Sequence, residues 1–127
     1  MKLAGIFALV FLFFTACHIQ DGGPRGVFIR VHNNSDVSFE SVTVQSGNQE
    51  RTFGEVLSRS QSEYRQFDYA FRYGSVWLRA GGRDFSLIPD DYVGETPLRD
   101  GYYTYRVGLS SANLADAELT FDLVEDD

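Results

Sequence analysis

The sequence predicts an all-β fold: an antiparallel β-sandwich of seven or eight short strands, following an N-terminal signal peptide. Three observations lead there. Beyond position 26 apolar and polar residues alternate with a period of two, helical spacing is hard to find, and turn-forming clusters of Gly, Asn, Asp, Ser and Pro recur at intervals of roughly 8 to 12 residues. A chain of 127 residues is enough for one domain at most. At 43% hydrophobic it has the material for a packed core, which argues against intrinsic disorder.

The leader is the first element. Lys2 is followed by an apolar run to Phe14 and then by small residues before Cys17, the charge, apolar and small-residue order of a secretory signal. The apolar stretch is shorter than the roughly 20 residues a spanning helix needs, and polar, Gly-rich sequence follows it. A permanent transmembrane helix is the weaker reading.

Phe14-Thr15-Ala16-Cys17 resembles the lipobox of bacterial lipoproteins, although Phe14 stands where Leu is more usual. The resemblance covers the first 17 residues. It implies a diacylglyceryl group on the Cys17 sulfur, cleavage before Cys17, and usually acylation of the new amine. A free thiol exported to an oxidising compartment would invite intermolecular pairing, whereas a thioether-linked sulfur would not. One acyl chain binds a bilayer reversibly, while two or three hold essentially permanently. His18 follows, where the family's sorting rule treats Asp as an inner-membrane retention signal, so the outer membrane is favoured if the host has one. The expected organisation is a signal peptide over 1–16, an acylated Cys and flexible tether over 17–26, and the β-sandwich over 27–127.

In the body, Val27, Ile29 and Val31 alternate with Phe28, Arg30 and His32, and Asn33-Asn34-Ser35-Asp36 offers side chains that bond a turning backbone. Val37 and Phe39 then fall on one parity and Val42 and Val44 on the other. A single strand keeps them on one face only with a β-bulge near Glu40 or Ser41. Ser46-Gly47-Asn48 closes this run. A weaker strand holds Arg51, Phe53 and Val56, and an irregular one runs through Ser60 to Tyr69.

Residues 75–80 and 83–88 flank Gly81-Gly82, a pair that tolerates positive φ and suits a primed hairpin turn. Val76, Leu78 and Ala80 make one face of the first arm, Trp77 and Arg79 the other. Pro89 to Gly101 is the longest irregular segment, and functional loops tend to be long. Tyr103, Tyr105, Val107 and Leu109 next alternate with Tyr102, Thr104 and Arg106, and Leu119, Phe121 and Leu123 with Thr120 and Asp122.

This pattern is similar to an immunoglobulin-like sandwich, though it lacks the Cys-Trp-Cys signature of antibody domains. Asp100-Gly101-Tyr102-Tyr103-Thr104-Tyr105 resembles the G-x-Y-x-Y entry to a late strand of many secreted sandwiches, in which a Tyr packs at a corner.

Little catalytic chemistry is in evidence. Only His18 and His32 could serve as a histidine base, and no G-x-S-x-G elbow accompanies the serines, so an enzyme is not expected. Asp90, Asp91, Glu95 and Asp100 gather in the long loop without calcium-loop spacing and read as hydrated acids. A single Cys excludes an internal disulfide framework and a multi-cysteine zinc site; no metal and no cofactor are expected. Past the leader, ten Arg and no Lys face 18 acids, a formal charge of −8, which argues against nucleic acid and suits cross-strand ion pairs.

The expected function is that of a membrane-anchored envelope lipoprotein, a non-catalytic structural or protein-interaction module with a possible protein partner in the envelope. The alternative is a small-ligand or carbohydrate-binding module that uses aromatics, with Tyr102 and Trp77 as candidate ligand-binding residues. Strand aromatics usually pack, so an exposed ring is the informative kind. Tyr102, opposite in parity to Tyr103 and Tyr105, is the best candidate for one.

Overall fold

A computed structural model describes residues 25–90 and 96–126. The leader, its cleavage site, Cys17, most of the tether, and Asp91 and Glu95 lie outside the described residues. The body begins with β1 (Val27–Asn33), where alternation starts, and continues through β2 (Ser41–Ser46), β3 (Gln49–Thr52), β4 (Arg65–Phe67), β5 (Ser75–Ala80), β6 (Arg83–Leu87), β7 (Gly101–Leu109) and β8 (Leu119–Asp126). One turn of 3₁₀ helix, Leu114–Asp116, precedes β8 and is capped by the Asn113 side chain.

The expected sandwich is present, with eight strands in two four-stranded sheets. The first is ordered β4-β1-β7-β8 and the second β3-β2-β5-β6. Every pairing is antiparallel except that of β1 with β7, which runs parallel over seven residue pairs from Val27↔Gly101 to Asn33↔Val107.

Period-two alternation sorts the side chains. Val27, Ile29 and Val31 of β1, Val42 and Val44 of β2, Val76, Leu78 and Ala80 of β5, and Tyr103, Tyr105 and Val107 of β7 all face inward and are buried. Phe39, Phe53, Val56 and Phe67 complete the core from the connecting segments and β4. Tyr105 bridges the sheets: its hydroxyl lies 3.1 Å from Ser46 Oγ at the end of β2. Tyr103 donates its hydroxyl to the Arg99 carbonyl at 2.7 Å, so the Tyr expected at a corner pins the entry to β7.

The parity switch in the second run is resolved at Glu40. Its amide donates to the Arg79 carbonyl at 2.7 Å, while Arg79 is paired with Ser41, so two residues face one. This bulge lets Phe39, Val42 and Val44 all point inward. Two readings need narrowing. The weak strand ends at Thr52, and Phe53 and Val56 reach the core from a loop tied down by the Phe39↔Val56 bridge. The irregular strand is regular only over Arg65–Phe67, because beyond β1 there is no partner for a longer edge.

Candidate functional site

The outward faces of the two sheets carry the exposed chemistry, and they differ in how much of it is already spent. On the first sheet, β1 and β7 turn Phe28, Arg30, His32, Tyr102, Thr104 and Arg106 outward, since their alternates fill the core. The parallel register sets Phe28 beside Tyr102 and Arg30 beside Thr104. Phe28 stacks on Tyr102 with centroids 5.0 Å apart, and Tyr64 meets Tyr102 edge-on at 5.1 Å. Tyr102 is 37% exposed, as its parity predicts, but its ring is engaged with two neighbours.

Most polar groups on this face also satisfy one another. Tyr64 donates to Asp126 Oδ2 at 2.8 Å, Thr104 donates to the same oxygen at 2.7 Å, and Arg30 Nε donates to Thr104 Oγ1 at 3.0 Å. The Arg30 guanidinium also lies over the Tyr64 ring, 4.8 Å from its centroid. Burial, and then the hydrogen bond to Asp126 and its negative charge, raise the Tyr64 hydroxyl above its ordinary pKa. Arg106 pairs with Asp122 across the β7–β8 register. This is the cross-strand ion pairing expected of the arginines.

His32, the next-to-last residue of β1, is partly buried, and its Nδ1 has no hydrogen-bond partner among the described residues. Its strand is held on one side by β7 and, at this residue, on the other by a bridge to Gln61.

The second sheet is different. Its outward rows pair Ser41 with Arg79, Thr43 with Trp77 and Gln45 with Ser75 between β2 and β5, and Trp77 with Ser86 between β5 and β6. Charge is neutralised at one end, where Arg79 Nη1 bonds Asp84 at 2.8 Å and Arg79 Nε faces Glu40 at 3.5 Å. Glu40 also accepts from the Gly82 amide of the hairpin turn. Beyond that end the side chains of Ser41, Thr43, Gln45, Trp77 and Ser86 make no hydrogen bond among the described residues. Trp77 is 36% exposed in their midst.

Two shallow hollows border these strands. One, of about 370 Å³, is lined by Ser41, Thr43, Trp77, Arg79, Asp84 and Ser86 among others. The other, of about 320 Å³, includes Gln45, Ser75, Asn48, Tyr69 and Phe71. This second hollow lies at the end of the sandwich: its lining includes Ser46, which faces inward and bonds Tyr105 of the other sheet. Tyr69 borders it, edge-on to Phe71 and accepting a hydrogen bond from Asn48 Nδ2 at 3.2 Å.

Tyr102 and Trp77 therefore sit on opposite faces and do not share a site. Of the loop acids, Asp90 and Asp100 are exposed. Among the described residues, no three or more His, Cys, Asp or Glu side chains are grouped so as to hold a metal ion. Thr43 and Gln45 were not singled out by sequence reasoning. Ser86 was within reach, since the Gly81-Gly82 hairpin sets it across from Trp77. Thr43 was not, because its pairing with Trp77 joins strands separated by two others in the chain.

No family model matches the chain, and no curated relative does. Among solved structures, an NMR structure of a protein from Eubacterium rectale is similar, with a TM-score of 0.55 and 16% sequence identity, covering 85% of this chain and 99% of that one. At that identity the likeness concerns the fold alone.

Proposed function

We propose that this chain is an envelope lipoprotein whose sandwich serves as a non-catalytic recognition module. In this reading residues 1–16 are removed, Cys17 carries acyl chains into the bilayer, and residues 18–26 hold the body off the surface, on the outer membrane where the host has one. The order of charge, apolar run and small residues before Cys17 supports the anchor. The acidic body supports the stand-off, since it is repelled by anionic headgroups.

One observation carries the recognition role: the contrast between the sheets. The first sheet's outward polar groups, His32 excepted, are mostly spent on each other, whereas the second presents unpaired donors and acceptors around a half-exposed Trp77. Groups that only stabilise a fold are expected to be paired within it. Groups left facing water around an aromatic ring suit a partner that arrives from outside.

The anchor is tested by metabolic labelling. Labelled palmitate enters the wild-type protein and is absent from Cys17→Ala; equal labelling of both refutes the site. For the recognition face, a photoreactive residue at position 43 captures envelope material in intact cells, while one at position 102 captures little. Equal capture from both positions overturns the assignment.

A further inference from the structure

We infer that the ligand of the second sheet's outward face is an uncharged carbohydrate chain lying along β2 and β5, with Trp77 as its stacking platform. The inference rests on the recognition role proposed above and names the chemistry recognised.

The argument begins with what the face offers. A sugar ring has an apolar C–H face and a rim of hydroxyls that both donate and accept. An indole presents a flat, electron-rich surface to the first, and short hydroxyl and amide side chains serve the second. Trp77 is bracketed across the strands by Thr43 and Ser86, with Gln45 one row further along β2, and none of these side chains has a hydrogen bond among the described residues. Hydroxyl and amide groups suit hydroxyl-rich partners because each can donate or accept as the ligand requires.

Charge selects among polar ligands. Arg79, the cation on this face of β5, is already paired with Asp84 and Glu40. With a formal charge of −8 past the leader, the body repels anionic polymers, and the Arg79 guanidinium beside Trp77 is committed to Asp84 and Glu40. A protein partner would want a contiguous apolar patch. The exposed large hydrophobics are instead dispersed: Leu57 in a loop, Trp77 and Tyr102 on opposite faces, Tyr69 and Ile88 beyond strand ends.

Shape completes the case. The outward rows from Ser41 to Gln45 span about 14 Å of strand, and the hollow of about 370 Å³ beside Trp77 lies along them. The result is an open trough with an aromatic ring in it. A trough open on top accepts a length of chain, where a closed pocket would take a single ring.

The test exploits Trp77 being the chain's one tryptophan. The full-length protein in detergent is titrated with neutral oligomers of glucose, mannose, galactose and N-acetylglucosamine, and with polysaccharide extracted from the host's envelope, while emission is followed. At least one neutral glycan shifts the emission to saturation, and longer oligomers bind more tightly than monosaccharides. By calorimetry, Trp77→Ala and Thr43→Val weaken binding about tenfold or more, and Tyr102→Ala on the other face leaves it unchanged. Thermal melts confirm that each variant is folded.

Silence across the whole panel overturns the inference. So does affinity that survives Trp77→Ala in a folded variant, or a preference for polyuronic acid. If the panel is silent while a residue at position 43 crosslinks a protein in cells, the carbohydrate falls and the recognition role stands. If position 43 captures nothing and the panel is silent, both fall.

Discussion

Asn33 is a buried polar side chain at the end of β1, and all of its hydrogen-bonding capacity is spent on the turn that follows and on the loop at Val56. Its Nδ2 donates to the carbonyls of Val37 at 2.8 Å and Val56 at 3.0 Å, and its Oδ1 accepts from the Ser35 amide and hydroxyl. Replacing it strands several buried groups at once, so Asn33→Ala should cost about 2 to 4 kcal/mol, read as a lowered urea midpoint at unchanged slope. Tyr64 supplies a second expectation. Its folded-state pKa is raised, chiefly by burial and then by Asp126, so its contribution to stability is present below the ordinary phenol value and is lost as pH rises through the folded value. In a difference titration against Tyr64→Phe, followed by phenolate absorbance, Tyr64 should ionise above the ordinary tyrosine range. Asp126→Asn should bring it down part of the way, because burial remains. The sequence showed that Tyr102 would face outward, as parity alone decides that. It did not show that Phe28 and Tyr64 would occupy the ring, since both contacts depend on which strands become neighbours.

At the scale of elements, the two tight hairpins make a controlled pair. Gly81-Gly82 joins β5 to β6 with φ of 57° and 76°, and Gly47-Asn48 joins β2 to β3 with φ of 57° and 68°. A methyl group at Gly82 would meet nothing within 4 Å, so Gly82→Ala pays for left-handed backbone alone, about 1 to 2 kcal/mol. At Gly47 the same methyl would lie 2.4 Å from the Tyr69 carbonyl oxygen, which is backbone and cannot swing aside. Gly47→Ala should therefore cost on the order of 3 kcal/mol or more, and thermal melts of the two variants should rank in that order. The Gly-Gly hairpin was legible because two glycines between alternating runs have few other uses. The Gly47-Asn48 turn was visible only as the close of a run, because the four-residue β3 that it feeds has the pattern Gln49-Glu50-Arg51-Thr52, with no apolar alternation to announce it. The bulge at Glu40 was legible for the opposite reason: four apolar residues with a parity break admit few other repairs. Edge strands follow a similar economy. Three of the four are five residues or shorter, and the long one, β8, carries Asp122, Glu125 and Asp126, which discourages pairing with another chain.

At the scale of the molecule, layers and strand count could be read from the sequence, while strand order could not. Alternation states which face of a strand is buried, and turn clusters state where it ends; neither says which strand lies alongside. The candidate site shows the same division. Trp77 was visible as an aromatic on the polar parity of its strand, but the trough around it exists only because β2 lies beside β5. The order of the first sheet carries a consequence for how the polypeptide is made. β1 leaves the ribosome first, yet its antiparallel neighbour β4 begins at Arg65 and its parallel neighbour β7 at Gly101. Until the late segment emerges, the ribbon Val27-Phe28-Ile29-Arg30-Val31 keeps an open flank, and loops that long close slowly. The nascent chain is most prone to clump during that interval, so a holdase that shields this one ribbon would do more for its yield than any gain in the finished protein's stability.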